Sequence, residues 1–345
     1  MSIEPVPSGM ATNGVGKISL GGSAPTGVSH QQTIRRELVH RTSISEVFVT
    51  SLSQGHRASS DADFVAGAQL PRMHAYFGDH RGAQYGRHDP LVLMETARQA
   101  AIATTHEFFD VPLDSAFLVR QFNGVTHAND GADAAAWEVG NRPTDIDIAL
   151  RVNNRHMIAE RLRGLDMVIE LSWGGTMLMT VDGSFSWTSP QQWRGLRAQA
   201  RAGAAPGPVW AGVAAQPHDV GRVDARNVVI GPVVYEKGQA IAEIVTDTGH
   251  PGLFDHDLDH LPGSLMLEAC RQLAIAHFGD GVRLGSVRST FGQFVELDRP
   301  SRCVLVPDPA PHERTDGVRS AIVTISQEEQ PCVHARLEVL DAAEQ

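Results

Sequence analysis

Cysteine is scarce in this chain of 345 residues: there are three, Cys270, Cys303 and Cys332. Thiols so few and scattered make neither a disulfide framework nor a zinc site. They read instead as small buried hydrophobes in a reducing compartment. Long apolar runs are also missing. None reaches the roughly 20 residues that span a bilayer, and the first residues show no basic start followed by an apolar stretch. A cytoplasmic protein is expected. Cations are in deficit too, with Lys+Arg 29 against Asp+Glu 40 and a net charge of −11. That balance argues against a nucleic-acid surface, and no helix-turn-helix with a basic face is visible.

What is present is a pattern written twice. Asp89-Pro90-Leu91-Val92-Leu93-Met94-Glu95-Thr96-Ala97-Arg98-Gln99 returns as Leu261-Pro262-Gly263-Ser264-Leu265-Met266-Leu267-Glu268-Ala269-Cys270-Arg271-Gln272. In each copy Glu, Arg and Gln stand at i, i+3 and i+4, which on a helix is one face. Polar groups in so apolar a run cost burial energy unless they are paired or used. Two copies half a chain apart imply a duplicated domain.

The rest of the chain fits two such units. Residues 1–33 are rich in Gly, Ser, Pro and Thr and read as a disordered tail. A first domain is expected over 34–190, a linker over 191–219 and a second domain over 220–345. Short strands are expected around Val39, Val47 and Val49, at 116–122 and at 144–152, then a hairpin of 165–173 and 176–187 about Gly174-Gly175. Helices are expected over Leu91–Phe109 and Pro262–Phe278. Strands at 226–236, 239–247, 284–296, 301–307, 317–327 and 332–340 complete the second half. One apolar helix among many antiparallel strands must be buried on most of its surface. The simplest architecture is α+β: tandem hot dog domains, each a curved sheet wrapped round one helix, paired as a pseudo-dimer.

Several residues suit chemistry. Pro262-Gly263 opens the second helix with free backbone N–H groups, which can polarise a thioester carbonyl or hold an oxyanion. The preceding loop, His250 to His260, is dense in titratable groups. A metal set of His256, Asp259 and His260 matches no strong signature; no metal and no cofactor is expected. A carboxylate half buried on an apolar helix has a raised pKa, a rise that a neighbouring arginine opposes. The plainer alternative for Glu95–Arg98 and Glu268–Arg271 is a structural ion pair, which rarely repays its desolvation cost twice.

Phe254-Asp255-His256, Pro262-Gly263 and Glu268 look like the His…Pro-Gly…Glu pattern of hot dog dehydratases, although the gap is shorter and Arg271 is an addition. The longer pattern His-Pro-x-x-Phe-Asp-His-x-x-Asp-His-x-Pro-Gly, His250 to Gly263, resembles the tandem hot dog family of A-factor biosynthesis enzymes. So do Leu38-Val39-His40-Arg41, Asp89-Pro90…Glu95-Thr96-Ala97-Arg98-Gln99 and Glu268-Ala269-Cys270-Arg271-Gln272. The resemblance covers roughly residues 37–340. It implies an acyltransferase that joins a β-ketoacyl group, carried as a thioester on acyl carrier protein or coenzyme A, to dihydroxyacetone phosphate. The product would be a precursor of γ-butyrolactone-type or furan-type signals.

The residues expected to act are Glu95, His256, Glu268 and Arg271, with Arg98, Gln99, Gly263 and Gln272 binding substrate. By analogy with hot dog dimers, His256 and the Gly263 helix end should face Glu95 and Arg98. Glu268 and Arg271 should face the loop that carries His74, His80 and His88. The two sites are expected to be unequal. The alternatives are a hot dog thioesterase or dehydratase, and a lactone-binding protein without turnover. No nucleic-acid or membrane partner is expected, and the pseudo-dimer would be complete as a monomer or pair as a homodimer.

Overall fold

The computed structural model describes residues 27–55, 62–127, 135–308 and 317–342. Most of the expected tail lies outside them. The first half contains β1 (Val49–Gln54), β2 (Phe64–Leu70), α1 (Pro90–Phe108), β3 (Ala116–Thr126), β4 (Thr144–Ile158), β5 (Arg161–Trp173) and β6 (Thr176–Thr188). After α2 (Pro190–Ala200), the second half repeats the order with β7 (Val234–Glu236), β8 (Gln239–Glu243), α3 (Gly263–Phe278), β9 (Val282–Phe291), β10 (Ser301–Pro307), β11 (Val318–Gln327) and β12 (Gln330–Asp341).

All the strands form one 12-stranded sheet in the order β1-β2-β4-β5-β6-β3-β9-β12-β11-β10-β8-β7. The order is palindromic about β3 and β9, as two copies joined edge to edge require. That seam is antiparallel, with Phe122 opposite Ser289 and Gly124 opposite Val287. Asn123 braces it by accepting the Ser289 N–H at 2.9 Å. Pairing the two edges leaves neither half with an open central strand.

Each half wraps its sheet round one helix. In α1, Leu93, Ala97 and Ala100 have no exposed surface, and the same holds for Ala269, Leu273 and Ala274 of α3. Fully burying one Leu-sized side chain stabilises by about 1.5–3 kcal/mol, which explains helices apolar on nearly every face. Gly124 lets α1 approach the seam, since a Cβ there would lie 2.9 Å from the Met94 sulfur. The β5–β6 hairpin turns on Gly174 (φ 56) and Gly175 (φ 85), the left-handed pair that a two-residue turn demands.

Three stretches differ from the expected reading. Val39 and Val47 do not lie in strands; residues 36–39 and 44–46 form 3₁₀ turns, whose Leu38 and Val39 pack on Ala103 of α1. The strands expected at 226–236 and 239–247 shrink to β7 and β8: ahead of β7 a side chain takes backbone groups, and beyond β8 the Ile244 and Thr246 N–H groups donate to the Ser301 and Ala211 carbonyls. Gln272 donates to the Asn227 carbonyl at 2.7 Å and accepts the Val229 N–H at 2.9 Å. The segment expected as a linker opens with α2, started by a capping box between Ser189 and Gln192.

Candidate active site

The duplication extends well beyond the two helices. Glu95 accepts from Arg41 (2.6 Å), from Arg98 (2.7 and 2.8 Å) and from Gln99 (2.8 Å). Glu268 accepts from Arg222 (2.8 and 3.0 Å), Arg271 (2.6 to 2.9 Å) and Gln272 (2.5 Å). Arg41 and Arg222 each follow a 3₁₀ turn and a left-handed residue, His40 or Gly221. Gln99 bridges the Glu46 carbonyl and the Phe48 N–H just as Gln272 bridges Asn227 and Val229.

A second repeated motif supplies the facing loop of each site. It runs His74…Asp79-His80 in the first half and His250…Asp255-His256 in the second. Nδ1 of His74 accepts the N–H groups of Tyr76 and Phe77, and Nδ1 of His250 those of Gly252 and Leu253. Asp255 then takes the Ser43 N–H at 3.0 Å, next to Arg41, while Asp79 takes the Val223 N–H at 3.2 Å, next to Arg222. Each loop is thereby pinned to the opposite half. His256 is brought toward Arg41 and Arg98, and His80 toward Arg271, as the two-site pairing anticipated. His74 and His88 are occupied elsewhere, with Glu46 and Thr144.

One of the two sites is open. A cavity of about 1380 Å³ is lined at one end by His40, Arg41, Glu95, Arg98, His256 and Gly263. Apolar side chains, among them Met94, Phe117, Met167, Phe185 and Leu267, also line it, as do polar ones that include Arg120, Gln121, Asp257, Asp259 and Gln293. Helix α2 closes one side through Trp193 and Leu196, and Arg197 lies 4.5 Å over the Phe294 ring that Trp193 also meets. Helix α3 enters this cavity with Pro262 at its N-cap and no side-chain cap, so its first-turn N–H groups have no side-chain acceptor.

The other site is shut. Glu268 and Gln272 have no exposed surface, Arg271 has 3%, and none of the three lines the cavity. Asp89 occupies the N-cap of α1 and accepts the Leu91 N–H at 2.8 Å. Its other oxygen lies 2.9 Å from Nε2 of His80 and 3.8 Å from Arg271. The inequality of the sites was expected from Leu91 against Gly263, but Asp89 against Pro262 is what sets it. Both stand six residues before the glutamate.

The carboxylates are not raised as expected. Burial pushes Glu95 up, yet Arg41 and Arg98 outweigh it and hold the group below the usual carboxylate range. Arg222 and Arg271 do the same for Glu268. Glu95 is therefore ionised and poorly basic at neutral pH. The histidines are the groups left to move protons. Burial, then Arg41, lowers the pKa of His256, so its imidazole is neutral and basic near pH 7. Burial and then His106 lower His40 to about 4; its Nε2 lies 2.9 Å from that of His106.

These buried imidazoles make stability pH-dependent. His40 and His88 fall from 6.5 to about 4 on folding. Between those values the unfolded chain binds more protons. Their contribution is complete above pH 6.5 and is lost as pH falls toward 4. The midpoint of urea unfolding should therefore decline steadily from pH 6.5 to 4; a flat profile over that range would contradict this reading.

A family model described as the A-factor biosynthesis hotdog domain matches residues 25–188 and 212–340. The chain belongs to the A-factor biosynthesis hotdog family. Among its relatives is a 2-oxo-3-(phosphooxy)propyl 3-oxoalkanoate synthase of Streptomyces virginiae. It is 30% identical over 318 residues, covering 90% of this chain and 99% of that one. The Streptomyces griseus protein of the same name is 30% identical over 291 residues, 82% of this chain and 88% of its own. Among solved structures, a Lactobacillus plantarum chain described as an oleoyl thioesterase has TM-score 0.51 at 12% identity, covering 83% of this chain and 99% of that one. A MaoC-like dehydratase has TM-score 0.50 at 9% identity, covering 80% and 98%. At such identities these neighbours show the hot dog fold alone.

Sequence reasoning missed Arg41 and Arg222 as second arginines, and the loop motif shared by His74–His80 and His250–His256. Each left a trace. Arg41 and Arg222 both stand two residues after a valine that ends an apolar pair or turn, and the two loops repeat histidine, aspartate and histidine at identical spacing.

Proposed function

We propose that this protein transfers a β-ketoacyl group from a thioester to the hydroxyl of dihydroxyacetone phosphate. The carrier is acyl carrier protein or coenzyme A, and the ester formed is the precursor of a lactone- or furan-type signal. The observation that carries the reading is the open cavity, whose lining combines apolar side chains with two arginines, a neutral histidine and an uncapped helix N-terminus. An acyl chain suits the first part. A reacting carbonyl beside an anionic acceptor suits the second. The names of the Streptomyces relatives point to the same ester.

In this reading His256 takes the proton from the acceptor hydroxyl as its oxygen attacks the thioester carbonyl. The new C–O bond forms, the C–S bond breaks, and the proton passes to the departing thiolate. Positive potential from Arg98 and the first turn of α3 by Gly263 stabilises negative charge at that end of the cavity. Glu95 holds Arg41 and Arg98 in place, and Gln99 holds Glu95. In the shut copy, Glu268, Arg271 and Gln272 keep the same geometry as a brace between the halves rather than as reacting groups. No described helix is long and apolar enough to cross a membrane.

Mass spectrometry of the protein incubated with a β-ketoacyl thioester and dihydroxyacetone phosphate tests this. The expected product is a phosphorylated ester or its butenolide, absent without protein or acceptor. Free β-keto acid formed regardless of acceptor would make the protein a thioesterase, and an untouched thioester would make it a binding protein.

A further inference from the structure

The shut site shows what the open one is built to receive. Around Glu268 stand two arginines, Arg222 and Arg271, and a second carboxylate, Asp89, so the charges balance. Around Glu95 stand the matching Arg41 and Arg98, but the position of Asp89 is taken by Pro262, which has no charge and no cap to offer. Asp255 and Glu46 are further carboxylates that act on Arg41; Asp255 is tied to the Ser43 N–H and Glu46 to His74 at 3.1 Å. The three partners of the Asp89 carboxylate have counterparts in the open site. The Leu91 N–H corresponds to that of Ser264, His80 to His256, and Arg271 to Arg98. Among the described residues, Nη1 of Arg98 has no protein acceptor, whereas Nη1 of Arg271 reaches toward His80 and Asp89.

We propose that the first turn of α3 and Arg98 form a subsite for the phosphate monoester of the acceptor, bound where the Asp89 carboxylate sits in the shut copy, with His256 left to the acceptor's hydroxyl. The proposal rests on the acyltransferase reading and names the group that the acceptor is held by. A permanent anion fits better than a transient oxyanion. Asp89 is charged in the resting protein, held well below the usual carboxylate range by Arg271 and His80 against the opposing effect of burial. The open copy has Pro262, and so no carboxylate, at that position. A phosphate restores the charge, and the guanidinium with the helix terminus suits its oxygens.

The test is calorimetric titration of the full chain with dihydroxyacetone phosphate, with no thioester present and hence no turnover. Dihydroxyacetone and inorganic phosphate serve as further probes. The wild type should bind one dihydroxyacetone phosphate per chain and inorganic phosphate more weakly, with dihydroxyacetone weaker than the phosphate ester by on the order of ten- to a hundredfold. Pro262→Asp, which installs the missing carboxylate, should lose binding by a similar factor, while Pro262→Asn, the same shape without charge, should keep most of it. Ser264→Asp offers a second route to a carboxylate at this turn should Pro262→Asp fail to fold, and should weaken binding likewise. Equal affinity for the phosphorylated and unphosphorylated probes, or undiminished binding in a folded Asp variant, would overturn the subsite. Product formation with unchanged KM for the acceptor in Pro262→Asp would overturn it while leaving the acyltransferase reading intact. Phosphate-dependent binding without turnover of any β-ketoacyl thioester would instead sink that reading and spare the subsite.

Discussion

Glu268→Ala should destabilise the fold by about 3–5 kcal/mol, the usual cost of breaking a buried ion pair by removing one partner. Typical domains are stable by only about 5–15 kcal/mol, so this single change brings the chain close to unfolding. The reason is geometric. Glu268 has no exposed surface, and Arg222, which it neutralises, has none either. Arg222 also crosses between halves, donating to the Tyr76 carbonyl at 2.6 Å and the Asp79 carbonyl at 2.8 Å. Without Glu268 the two buried guanidiniums lose the carboxylate they share, and Arg222 keeps only backbone carbonyls as acceptors. Glu95→Ala removes the same residue from the other copy and should cost less, because the Arg98 side chain is 28% exposed and can turn into the cavity. Urea denaturation of the two variants compares them directly. A Glu268→Ala protein within about 1 kcal/mol of wild type, less than a typical buried hydrogen bond to a charge contributes, would show that the shut copy is not a brace.

His256→Ala should do the reverse, lowering kcat/KM by roughly 10²–10⁴, the usual contribution of a general base, with little change in thermal stability. Its side chain is 45% exposed, and its partner Asp255 stays anchored to the Thr42 and Ser43 N–H groups without it. The pH profile carries the same signature. A base must be neutral to accept a proton, and burial with Arg41 lowers this imidazole from 6.5. Activity should therefore be flat through neutrality and fall only below pH 6.5, as His256 becomes protonated. A variant that keeps more than a tenth of wild-type kcat/KM would remove His256 from the chemistry and turn attention to His40.

The Glu-x-x-Arg-Gln repeat exposed the duplication because a polar triad on an apolar helix stands out at helical spacing. The long strands β4 to β6 and β9 to β12 were legible for the same kind of reason, through alternation and the Gly174-Gly175 turn. Less visible was whatever depends on contacts far apart in the chain. Arg41 reaches Glu95 across 54 residues and Arg222 reaches Glu268 across 46, each from a 3₁₀ turn without periodicity. The shortness of β7 depends on Gln272, whose amide takes the Asn227 carbonyl and the Val229 N–H in place of strand partners. Asp89 reads in sequence as an ordinary helix cap. Only the fold reveals it as a carboxylate closing a second site, because His80 and Arg271 meet it from a loop and from the other domain.

Helix α2 also escaped the composition-based reading, since Ala-Gly-Ala-Ala-Pro-Gly-Pro follows it closely. Its Arg197 and Arg201 are tied to Glu296, and Arg201 also to Asp298. The connection between the domains thus becomes a fixed wall of the cavity, which Trp193 and Leu196 line.

The most direct measurement is a crystal structure of the protein with dihydroxyacetone phosphate and a non-cleavable β-ketoacyl thioester analogue, its sulfur replaced by methylene. The account predicts the acyl chain along Met94, Phe117 and Phe185, its reacting carbonyl beside His256, and nothing bound at Glu268. Ligand lodged beside Glu268 and Arg271, with the Glu95 cavity empty, would contradict it.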